Sequence, residues 1–247
     1  MNTTLIEQYH NQSVEVKNQI DKFRKSPIQL SNIRKVGKTF LYEGNLVQKS
    51  ALNDLLNIFS IKSDLVQEIH DDENQWTPLQ KCLSNIKNDK VVTGITKTVG
   101  DEKIITKFLK AEIKEEESLN FGYGFNLLEG YLQNVGESVK LQHLRFNEDN
   151  LALETSFRDL NKQIDVFGDG NDLWDSGFSF IYGLNKTVIS PFLLRLICSN
   201  GMVATHKVSQ RYFSNKGLRQ TSFNRLVNKT LSEDLRHTTI QSCDKMR

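Results

Sequence analysis

Apolar and polar positions change period twice along this chain. In the first third the spacing is helical. Leu5, Ile6, Tyr9, Val16, Ile20 and Phe23 fall on one face and predict a helix over residues 3–25, with Thr4 and Glu7 as a capping box and Pro27 as the stop. A short strand is predicted over Lys38–Glu43, with a turn at Gly44-Asn45. Ser50 is placed to cap a helix over 51–59, in which Leu52, Leu55, Leu56 and Phe59 share a face. Further helices are predicted over 63–70 and from Thr77-Pro78 to about residue 86, because proline suits a first helical position.

From Lys90 the pattern turns to strands. β-Branched residues fill 91–99 and 103–109 on either side of Gly100-Asp101-Glu102, which predicts a hairpin. Gly122–Gln133 returns to helical spacing, although Gly124 and Gly130 weaken it. Leu141, Leu144, Phe146, Leu151, Leu153 and Phe157 then alternate about residues 147–150, the clearest hairpin in the chain. A separate strand is predicted at 162–167, and a strand pair at 177–182 and 187–198 about Gly183-Leu184-Asn185. The densest apolar run, Phe192–Cys198, is broken only by Arg195 and ends in the turn Ser199-Asn200-Gly201. Beyond it a strand or helix begins. Phe223, Leu226, Val227, Leu231 and Leu235 predict a last helix from Gln220 to about residue 246. No stop signal follows, so the natural chain is expected to continue beyond residue 247.

Helices, then antiparallel strands, then a helix make an α+β protein: an antiparallel sheet with helices packed on one face. The expected division is a mostly helical region over 1–88 and an antiparallel α+β core with the C-terminal helix over 89–247, or one continuous domain.

Composition sets limits on this picture. Cys82, Cys198 and Cys243 are far apart and match no metal or redox spacing, which fits a reduced, cytoplasmic setting. The N-terminus lacks the basic and apolar regions of a signal peptide, and no apolar run approaches the ~20 residues of a membrane span. A soluble protein without a membrane partner is expected.

Charge changes the picture most. Residues 176–232, 57 in number, contain no Asp or Glu and carry a formal +8. The other 190 residues hold 24 basic and 30 acidic side chains, a formal −6. Within the acid-free window, Lys207, Arg211, Lys216, Arg219, Arg225 and Lys229 recur every few residues, with Tyr212 and Phe213 between them. Cations neutralise phosphates and exposed rings stack on unpaired bases, so this pattern points to single-stranded nucleic acid. The alternative is a sheet core plus a basic loop whose charge is offset by acidic neighbours in space. Arg195, inside an apolar strand, fits a structural pairing better than a ligand group.

Other chemistry is poorly supported. Asp169, Asn171, Asp172 and Asp175 could gather oxygen ligands, but the spacing is not that of a calcium loop, and a turn rich in Asp, Asn and Gly explains it. The five histidines, His10, His70, His143, His206 and His237, have no metalloprotease spacing and no adjacent nucleophile; His143 alternates outward from its strand. Gly122-Tyr-Gly124 lacks a third glycine, and Val36-Gly-Lys-Thr39 lacks the first glycine of a phosphate loop. No catalytic residue, metal site or cofactor is assigned.

One resemblance adds to this reading. Trp174-Asp-Ser-Gly-Phe-Ser-Phe180, followed by Ser190-Pro-Phe-Leu-Leu-Arg-Leu-Ile-Cys-Ser-Asn-Gly-Met202, resembles a family of phage- and plasmid-encoded proteins of unknown function, over about residues 165–206. The resemblance implies a mobile-element origin and hence a host cytoplasm, and it implies no chemistry. The expectation is a non-enzymatic nucleic-acid-binding protein that prefers single strands. The alternative is a virion or interaction component, such as an inhibitor of a host factor, whose basic window meets an acidic protein partner. A homo-oligomer is compatible with either.

Overall fold

In the computed structural model the described residues are 3–60, 76–78, 80–81, 92–165, 173–196, 203–207, 210–215 and 218–229. The protein is α+β, as its pattern predicts, with two largely antiparallel sheets. It divides into two compact units, one of Asn18–Leu119 and one of Met1–Lys17 with Asn120–Arg247. A boundary near residue 88 is therefore not the structural one. Strands at 92–110 pair with strands at 23–47, which binds both stretches into one unit.

The unit of Asn18–Leu119 is built on a sheet. Its strands are β1 (Phe23–Ile28), β2 (Ile33–Val36), β3 (Thr39–Tyr42), β4 (Asn45–Val47), β5 (Val92–Val99), β6 (Glu102–Lys110) and β7 (Glu117–Ser118), in the order β2-β3-β4-β6-β5-β1-β7. The N-terminal third thus carries strands between its helices. α1 (Thr3–Ile20) ends before Phe23, and Phe23–Ile28 runs antiparallel to β5. Pro27 does not stop a helix; it lies inside a strand. β7 reaches only Arg24 and Lys25, so Pro27 has an open side where its missing N–H interrupts no ladder. The turn Glu43-Gly44 has both residues at positive φ, 51° and 84°, the conformation that joins two strands through a two-residue loop.

α2 (Lys49–Ile58) lies against β6, with Ala51, Leu52, Leu55 and Leu56 wholly buried. Each such leucine contributes about 1.5–3 kcal/mol by leaving water. Ser50 does not cap it: the cap position is Gln48, which makes no side-chain bond, while its N–H donates to the Ile105 carbonyl at 2.9 Å. Residues 76–78 and 80–81 are helical, and Trp76 packs edge-on against Phe40 at 5.0 Å. The helix expected over 63–70 lies outside the described residues.

The second unit has the sheet order β12-β11-β10-β9-β8, from β8 (Val139–Asn147), β9 (Ala152–Asp165), β10 (Leu173–Gly183), β11 (Lys186–Leu196) and β12 (Val203–Lys207). β13 (Arg211–Ser214) also pairs with β11, beyond the end of β12. The strand expected at 162–167 is the continuation of β9. One face carries α3 (Gly122–Leu132) and α4 (Gln220–Lys229), and α1 meets α3. Phe157, Phe178, Phe180 and Phe223 are almost wholly buried there, and Tyr131 meets Phe157, Phe178 and Phe223 edge-on. Tyr9 of α1 donates its hydroxyl to the Phe125 carbonyl at 2.9 Å. Gly124, unfavourable for a helix, lets α3 approach Tyr182: a Cβ there would lie 2.8 Å from the ring. Among the described residues no helix is long and apolar enough to cross a membrane.

Candidate nucleic-acid interface

Side chains alternate across a strand, and directly paired residues share a face. The register therefore divides the second sheet into two surfaces. Phe157, Phe178, Pro191 and their row neighbours point to the helices. The opposite surface is built from three rows. Lys140, Arg158, Gly177, Phe192 and the position of Lys207 make the first. His143, Ser156, Ser179 and Ser190 make the second. Arg145, Glu154, Ile181, Val188 and Tyr212 make the third. Phe192 is buried in this surface because its ring lies across Gly177, where a Cβ would come within 2.5 Å of the ring.

Glu154, the carboxylate in these rows, is neutralised. Arg145 donates from Nε and Nη2 to Glu154 Oε2 at 3.0 and 2.8 Å, and Asn147 Nδ2 reaches Glu154 Oε1 at 2.8 Å. Asp175, one pair further along, is bonded by Arg158. Lys140 and Lys186, by contrast, are exposed and enter no ion pair among the described residues. The Ser156 hydroxyl and His143 Nδ1 are 3.0 Å apart. Partial removal from water, then the charge of Arg145, holds the imidazole below its usual range.

Tyr212 is the large aromatic of this surface that stays in water, at 61% exposure. Lys186 sits 5.8 Å over its ring, and its hydroxyl donates to Gln210 Oε1 at 2.6 Å. Asn215 fixes β13: its side chain donates to the Gly183 carbonyl at 2.8 Å and accepts from Thr187 Oγ1 at 2.7 Å. β12 and β13 pair with successive parts of β11, offset by one residue, so together they form one edge strand with a break between them.

Of the eight residues picked out by charge and aromaticity, those described do not share one face. Tyr212 faces away from the helices, and Lys207 holds a register position on the same side. Arg211 and Phe213, the flanking residues on β13, hold register positions toward the helices. Tyr212 and Phe213 therefore do not stack on one side, because adjacent strand residues alternate. Arg219 precedes α4 and Arg225 lies in it; both are exposed, on an element whose Phe223 and Val227 are buried against the helix-bearing face. Lys216 lies outside the described residues, and of Lys229 only its place in α4 is described. Lys140, His143 and Arg145 lie outside the acid-free window, at polar positions flanking Leu141 and Leu144.

No group of His, Cys, Asp and Glu suited to a metal occurs among the described residues; Asp169, Asn171 and Asp172 lie outside them. Compared with known proteins, the chain matches no family, no curated protein and no solved structure.

Proposed function

We propose that this is a non-enzymatic nucleic-acid-binding protein of phage or plasmid origin that takes single strands on the face of its second sheet opposite the described helices. One observation carries this reading: Tyr212 is open to water on a face where Glu154 and Asp175 are bound by arginines, while Lys140 and Lys186 are exposed and enter no ion pair among the described residues. A flat sheet with helices behind it and a ring in front suits splayed bases, and the lysines suit the phosphates between them. Duplex DNA would gain from the charges but could not use the ring.

Fluorescence anisotropy of labelled oligothymidylate tests the proposal. Binding at low salt that weakens steeply as salt rises is expected. Absence of binding at low salt refutes it. A defined oligomer in light scattering, or a captured acidic protein, without strand binding would favour the virion or host-factor reading.

A further inference from the structure

The first unit holds a cavity that its packing does not require. α2 packs Leu52, Leu55 and Leu56 into the core of this unit. Beside this core lies a cavity of about 190 Å³. That exceeds the ~150 Å³ which takes one benzene ring. Ile28, Ile105 and Tyr42 supply apolar lining, and Thr96 and Thr98 add hydroxyls. Arg24 and Lys103 bring positive charge, while Glu43 and Glu116 bring negative charge. Arg24 lies in register with Thr96, and Lys103 with Thr98, so both cations stand beside the hydroxyls.

Glu43 is a poor choice for its backbone. Its φ of 51° is left-handed, in a turn where Asn-Gly is the favoured pair. Its carboxylate accepts a bond from Asn32 Nδ2 at 3.1 Å, and the residue is part of the cavity lining. A strained residue at a cavity suggests a role in binding. The mixed signs speak against a polyanion, because Glu43 and Glu116 would repel it. They suit a small molecule that carries both charges.

We propose that this cavity binds a small zwitterion of the amino-acid class, its carboxylate toward Arg24 and Lys103 and its ammonium toward Glu43 and Glu116. The site lies in the unit that does not hold the candidate nucleic-acid face, so the two proposals stand or fall separately. Isothermal titration of the full chain with individual L-amino acids tests it, with acetate and methylammonium as single-charge controls. At least one amino acid binds, and neither control does. Glu43→Asn suits the left-handed turn and removes the charge, so it leaves the fold intact and weakens binding about tenfold or more. Lys103→Met, at an exposed position, weakens it in the same direction. The proposal is overturned if no amino acid gives heat, if the controls bind equally well, or if both variants bind like the parent.

Discussion

Replacing Tyr212 and Phe213 by alanine, one at a time, separates the two sides of a single strand. Tyr212 is 61% exposed, and its contacts are a cation over the ring and a bond to Gln210. Tyr212→Ala should leave stability within about 0.5 kcal/mol of the parent. A ring that stacks on a base contributes about 1–3 kcal/mol. With tenfold in affinity for each 1.4 kcal/mol, the variant should bind a single strand roughly 5- to 150-fold more weakly. Phe213 is half-buried and holds a register position opposite Thr187, toward the helices. Its truncation should cost stability, by less than the ~3–5 kcal/mol of a fully buried phenylalanine, and leave strand affinity unchanged. Urea unfolding followed by circular dichroism gives the first quantity, and anisotropy of a labelled oligonucleotide the second. Equal loss of affinity in both variants, or none in Tyr212→Ala, would refute the division of faces.

Two further outcomes follow from the same sheet. Gly177→Ala should destabilise by about 2–3 kcal/mol in denaturant titration, because the new methyl meets the Phe157 carbonyl oxygen at 2.4 Å and the Phe192 ring at 2.5 Å; Gly136→Ala, whose nearest neighbour is 3.9 Å away, should not. His143 has its pKa lowered from 6.5 on folding, so the unfolded chain binds the proton more readily. Its contribution is present above pH 6.5 and is lost as pH falls from there toward the folded value, and His143→Gln should flatten that part of a stability–pH profile.

Much of the second unit was legible because its strands are two-sided. Leu141, Leu144 and Phe146 alternate against Leu153 and Phe157, and the register follows them apart from one bulge between Leu141 and His143. The first unit was harder to read. Phe23 continues the helical spacing of Ile20, so β1 is hidden behind α1, and only pairing with β5 over sixty residues later makes it a strand. β4 is three residues long and pairs in parallel with β6, a contact no local pattern announces. Gly124 and Gly130 count against a helix by propensity, yet α3 forms because close packing on Tyr182 and Gln220 needs positions without side chains. The acid-free window was plain in the sequence. Its distribution over two faces was not, since a one-residue step along β13 moves a side chain to the other side.

The salt dependence of strand binding, measured on two charge-reversed pairs, tests the central claim most directly. Lys140→Glu with Lys186→Glu alters the face opposite the described helices, and Arg219→Glu with Arg225→Glu alters the helical side. Each phosphate contact contributes about 0.7 to the slope of log K against log salt for a single strand. The account predicts that the first pair flattens the slope by about 1.4 and that the second leaves it unchanged. Flattening by the arginine pair with none from the lysine pair would contradict it.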